Sequence, residues 1–85
     1  MELIRTNKFK QDYKKLPQPI KEQAIKQLTL FLADPKHPSM HTKKMSGYAD
    51  IWEGRITRDY RFTFQIDGNT YILRRIGKHD ILKTP

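Results

Sequence analysis

The sequence contains no cysteine. That excludes disulfide staples and thiolate metal sites and permits a reducing compartment. No apolar run approaches the roughly 20 residues that cross a bilayer. The first ten residues, MELIRTNKFK, lack the apolar centre of a secretory signal. These two absences point to the cytoplasm and away from the membrane. No P-loop, glycine-rich dinucleotide turn or serine nucleophile elbow occurs. Nucleotide cofactors and acyl hydrolysis are disfavoured for that reason. Repeats, linkers and low-complexity tracts are also missing.

The 85 residues are enough for one domain, spanning 1–85, and too few for two. A chain this short buries only roughly 60–65% of its unfolded surface, so modest stability is expected. Aromatic residues make up 11%, which argues against disorder. The net charge is +8, which favours a polyanionic partner such as nucleic acid, an anionic membrane face or an acidic protein. Residues 1–35 carry seven Lys/Arg against four Asp/Glu, and residues 36–85 carry ten against five. The charge is therefore spread along the chain and marks no site.

Glu2 to Arg5 reads as a short strand. Thr6 or Asn7 can cap a helix over Lys8 to Leu16, whose Phe9, Tyr13 and Leu16 share a face. Pro17-Gln18-Pro19 ends that helix and opens another. Ile20, Ala24, Ile25, Leu28, Phe31 and Leu32 form its wide apolar stripe, which runs to Ala33. Asp34 to Thr42 reads as a loop, because Pro35 and Pro38 oppose regular structure. Lys43 to Gly47 either begins the sheet or remains loop. Ile51 to Thr57 reads as a strand in which Gly54 is a weak point or a bulge. Arg58-Asp59 is a turn. Tyr60 to Ile66 alternates, with Tyr60, Phe62, Phe64 and Ile66 on one face and Arg61, Thr63 and Gln65 on the other. Asp67-Gly68 is a hairpin turn before a last strand over Thr70 to Ile76. The expected class is α+β, in the order β-α-α-β-β-β. A helical hairpin would cover one face of a mainly antiparallel sheet, leaving the other face polar, arginine-bearing and partly open.

Three constellations could carry chemistry. Arg55 and Arg61 flank one hairpin, and Arg74 or Arg75 lies on the next strand. Guanidinium stays charged and grips phosphate bidentately. Each arginine could equally pair with Glu53, Asp59 or Asp50 at the surface. His79 follows the last strand and is the best proton-transfer group, since arginine cannot act as a base. An ordinary surface histidine is the plainer alternative. His37 and His41 lie in the proline loop beside Lys43 and Lys44. Pro38 argues against the helical pairing that would make the two histidines metal ligands. A phosphate-contacting loop or a plain exposed loop fits better. Trp52, Tyr48 and Tyr60 could stack on bases or belong to the core, and the alternation places Tyr60 in the core.

The segments FKQDYKKLP, FLADPKHPS, KKMSG, IWEGRITRDYRFTF and RRIGKHD, in that order, resemble the RelE/ParE superfamily of bacterial toxin-antitoxin toxins. The likeness spans nearly the whole chain. It implies a compact toxin that cuts mRNA at the ribosomal decoding site without metal or cofactor. It also implies a cognate antitoxin that binds and blocks the toxin in a hetero-oligomer. By position, Arg55 falls on a catalytic lysine of the RelE-like branch, which is a histidine in the YafQ-like branch. Arg61 matches a Tyr-Arg pair that steadies phosphate. His79 falls on a RelE-like arginine or a YafQ-like histidine, and Asp59 on a YafQ-like acidic residue. Glu53 departs from the pattern, standing where RelE-like members have lysine. No tyrosine follows His79, which shifts the weight of proton transfer onto that residue.

The resemblance thus implies catalysis by Arg55, Arg61 and His79, with Glu53 or Asp59 orienting a partner. Lys43, Lys44, Arg58, Arg74, Lys78 and Lys83 are the expected RNA contacts. Two other readings follow from the same superfamily. One is a ParE-like inhibitor of DNA gyrase without chemistry of its own. The other is an inactive relic that only binds antitoxin.

Overall fold

Thr6 sets the first helix. In the computed structural model, which describes residues 2–85, its hydroxyl accepts from the Phe9 N–H at 3.1 Å. Helix α1 then runs Asn7–Lys14 and buries Phe9. Its lysines stay exposed. Pro17 separates it from α2, Gln18–Ala33, in which Ala24 and Phe31 are fully buried. The stripe expected on α2 is only partly covered: Ile25 is 59% exposed and Leu32 37% exposed.

Among the described residues, five strands form one sheet: β1 (Glu2–Arg5), β2 (Lys43–Lys44), β3 (Trp52–Arg55), β4 (Tyr60–Asp67) and β5 (Thr70–Lys78). Their spatial order is β1-β5-β4-β3-β2. All pairings are antiparallel except β1 with β5, which is parallel. The sheet is therefore mixed, with both helices on one face, in the expected α+β class. Lys43–Lys44 joins it as a two-residue edge strand opposite Glu53 and Trp52.

The core lies between α2 and the central strands. Phe31 meets Phe62, Phe64 and Tyr71 with ring centroids 4.8–5.2 Å apart, tilted or edge-on. Gly54 is not a bulge. It sits in register opposite Phe62, and a Cβ there would lie 2.4 Å from that ring. Any side chain there would collide with the ring, so the close approach of Phe62 needs glycine. The bulge lies on β5 instead: Thr63 pairs with Arg75 and Phe64 with Leu73, leaving Arg74 as the extra residue.

The proline loop also departs from expectation. Pro38–Met40 makes a 3-10 turn, and Met40 is fully buried. Proline is tolerated at the first position of such a turn, and the apolar Met40 supplies the reason to close it. After β5, a second 3-10 turn, His79–Lys83, folds back with Ile81 buried. A Cβ on Gly77 would lie 2.9 Å from Ile81, so this turn packs tightly on the strand. Among the described residues, no helix is long and apolar enough to cross a membrane.

Candidate active site

Alternation along β3 and β4 decides which side chains leave the core. Trp52 stacks on Phe64, so Glu53 and Arg55 take the opposite face. On β4, Phe62 and Phe64 enter the core, and Arg61 and Thr63 take the opposite face. Arg55 and Arg61 are direct cross-strand partners. Like charges in such a pair repel, at side-chain spacings of roughly 5 Å.

A cavity of about 540 Å³ opens over this pair, lined by His41, Thr42, Lys43, Glu53, Arg55, Arg61, His79 and Leu82. Four chain segments meet there: the proline loop with β2, β3, β4 and the C-terminal turn. Three permanent cations face a single carboxylate. Glu53 Oε1 stands 4.0 Å from Arg61 Nε, and both side chains are about nine-tenths buried. Arg61 Nη1 also donates to the carbonyls of Thr57, at 2.6 Å, and of Arg58, which fastens it to the β3–β4 turn. Burial and then Arg55 hold Arg61 below an arginine's ordinary value, while Glu53 and Asp59 pull it back up. It remains charged at neutral pH, because arginine's reference lies so far into alkali. Arg55 Nε is buried without a hydrogen-bond partner, as is Thr63 Oγ1. A donor and a charge left in this state favour an anionic ligand.

Of the residues singled out in the sequence, Arg55, Arg61, His79, Glu53 and Lys43 line the cavity. Asp59 and Arg58 are exposed in the turn, and Lys44, Lys78 and Lys83 are exposed outside the cavity. Arg74 and Arg75 turn to the C-terminal segment. Arg74 donates to Gln65 Oε1 at 2.8 Å and to the Pro85 carbonyl at 3.1 Å. Arg75 donates to Asp12 Oδ2 at 2.7 Å and to the Thr84 carbonyl at 3.0 Å. The hydrogen bond to Asp12 raises Arg75 above its ordinary value, against the opposing effect of burial.

His41 and His37 part company. His41 lines the cavity, while His37 Nδ1 accepts from the Ser39 N–H at 3.1 Å within the loop. Nothing in the spacing of the loop residues separates the two; the turn closed by Met40 does. Trp52 and Tyr60 pack against the core, and exposed Tyr48 donates to the Lys83 carbonyl at 3.1 Å. Among the described residues, no three His, Asp or Glu side chains gather as metal ligands would.

A family profile described as the ParE toxin of the type II toxin-antitoxin system parDE matches residues 3–82. The chain belongs to this toxin family. No curated protein sequence matches it. The toxin's fold is similar to a chain of the RelB-RelE antitoxin-toxin complex from Methanococcus jannaschii, at TM-score 0.77 and 20% identity over 95% of each chain. It is also similar to the YoeB/ParE toxin from Agrobacterium tumefaciens, at TM-score 0.77 and 20% identity, covering 93% of this chain and 99% of that one. YafQ from E. coli follows at TM-score 0.72 and 15% identity, covering 95% and 96%. Identities this low speak for the shared fold and not for the chemistry. The RelE/ParE resemblance drawn from the motifs thus holds at the level of family and fold.

Proposed function

We propose that this toxin is a ribosome-dependent mRNA endoribonuclease held in check by a cognate antitoxin. The observation that carries the reading is the pairing of Arg55 with Arg61 in one cavity with Lys43 and His79. The 2′-hydroxyl upstream of the scissile phosphate attacks phosphorus, leaving a 2′,3′-cyclic phosphate and a 5′-hydroxyl. Arg55 and Arg61 stabilise the extra negative charge of the transition state. Fixed guanidiniums suit this task, because they need no reorganisation as charge builds. His79 gives a proton to the departing 5′ oxygen. Glu53 orients Arg61, and Asp59 acts on Arg61 only through its charge. Lys43 holds the RNA backbone at the cavity, while Lys44, Arg58, Lys78 and Lys83 meet RNA beyond it. In this reading Arg74 serves the C-terminal segment before it serves RNA. The antitoxin partner is inferred from relatives solved as toxin-antitoxin complexes.

Induced expression followed by mapping of mRNA 5′ ends, with and without ribosomes, tests the reading. Cut transcripts that require ribosomes are expected. His79→Ala cleaving at the wild-type rate would remove the assignment of that residue. The ParE profile match favours a second reading, a gyrase inhibitor without cleavage. DNA damage with intact transcripts would establish that reading instead.

A further inference from the structure

Cleavage by an internal hydroxyl needs two proton transfers, one off O2′ and one onto O5′. The ribonuclease reading, on which this inference rests, assigns His79 to the second and leaves the first open. The cavity narrows the choice. Arg55 and Arg61 cannot accept a proton, and Lys43 as an ammonium has no acceptor site. Glu53 is about nine-tenths buried and faces Arg61. Thr42 offers only a hydroxyl. The remaining group is the imidazole of His41, an exposed residue on the same cavity as His79.

The backbone at His41 points the same way. Its φ is 46° and ψ 43°, a left-handed conformation uncommon for residues other than glycine. Its N–H donates to the Pro38 carbonyl at 3.2 Å. Fully buried Met40 anchors the chain just before it, and the pairing of Lys43 with Glu53 anchors it just after. Non-glycine residues stay in this region only where their surroundings hold them, and such residues cluster at functional sites. The chain thus holds His41 at the cavity through two fixed neighbours.

We propose that His41 is the general base of the reaction and forms an acid-base pair with His79. The O2′–H bond breaks to the free ring nitrogen of His41 as the O2′–P bond forms. The P–O5′ bond breaks, and protonated His79 delivers its proton to O5′. One proton passes in effect from His79 to His41, and exchange with water resets the pair. The charged groups facing the two imidazoles are Lys43 from β2, Glu53 and Arg55 from β3, and Arg61 from β4.

The test is single-turnover cleavage of a short mRNA on programmed ribosomes, across pH. The wild type is expected to give a bell-shaped profile. His41→Asn tolerates the left-handed backbone, keeps the fold by circular dichroism, and loses roughly 10²–10⁴-fold in rate. The loss falls on the limb at low pH, where a base becomes protonated. His79→Ala loses the limb at high pH. A substrate with sulfur in place of the 5′ bridging oxygen needs no proton to leave, so it rescues His79→Ala but not His41→Asn. A wild-type rate in His41→Asn overturns the inference while leaving the ribonuclease reading intact. Recovery in His41→Lys overturns it too, since a cation alone would then suffice. No cleavage by the wild type overturns both.

Discussion

Arg55 is the residue where stability and the proposed function pull apart. It faces Arg61 across the strands, and its Nε is buried without a partner. Both features cost stability in the free protein. Arg55→Met keeps the apolar stem and removes both costs. It is expected to raise unfolding stability by about 0.5–1 kcal/mol in urea. The same variant is expected to lower cleavage about 10²–10³-fold, as loss of one preorganised charge-stabilising donor does. Unchanged stability with unchanged cleavage would count against an anion site at this pair. Gly54 makes the opposite case, a residue required by packing alone. Gly54→Ala drives a methyl group to 2.4 Å from the fully buried Phe62 ring. The expected cost is about 1–3 kcal/mol. A loss below about 0.5 kcal/mol would mean that the ring moves aside freely.

At the scale of elements, α1 is tied to β5 by one carboxylate. Asp12 accepts from Arg75 Nε at 2.7 Å, from Arg75 Nη2 at 3.2 Å and from the Ile76 N–H at 3.3 Å. Asp12 lies on the buried side of α1, with only 8% of it exposed. Asp12→Ala removes the carboxylate partner of a largely buried guanidinium, which keeps only its bonds to Thr84, and leaves the Ile76 N–H without its acceptor. A loss of about 3 kcal/mol is expected in chemical denaturation. Arg75 is raised in the folded state, so its stabilisation is fully present below the unfolded value and fades only as pH climbs through the folded one. Both values lie in strong alkali. Stability supplied by this pair should therefore not vary across neutral pH as far as Arg75 is concerned, and a pH series of denaturation curves checks that. The β5 bulge belongs to this scale as well. Strict alternation would point Arg74 and Arg75 to opposite faces, but the extra residue lets Arg74 reach Pro85 while Arg75 reaches Thr84.

For the whole molecule, those two arginines matter because the segment they hold carries His79. The C-terminal turn starts at His79, and its far end is fastened by Arg74 and Arg75. Arg74→Ala is expected to speed amide exchange over residues 79–84 and to lower cleavage several-fold, with little change in exchange along β3 and β4. Equal protection in the two proteins would show that packing of Ile81 is enough to place the turn. The net charge of +8 acts over the same range. On the ribonuclease proposal, RNA binding is expected to weaken steeply as salt rises, because each neutralised phosphate releases counterions. Arg74→Ala should leave that slope unchanged if its guanidinium stays with Gln65 and Pro85.

Four of the five strands, both helices and the α+β class were legible in the residues, because alternation, helical spacing and turn chemistry are local signals; the choice of Thr6 over Asn7 as cap, and Lys43–Lys44 as a strand, were decided by the fold. The parallel placement of β1 beside β5 was not legible, since a strand carries no local mark of its neighbour. Nor could spacing tell that Gly54 makes room for Phe62, that Arg74 bulges, or that His41 and His79 line one cavity although 37 residues lie between them. Side-chain chemistry is written in the chain itself. Which groups stand together is decided by packing, because only the folded backbone brings distant segments around one cavity.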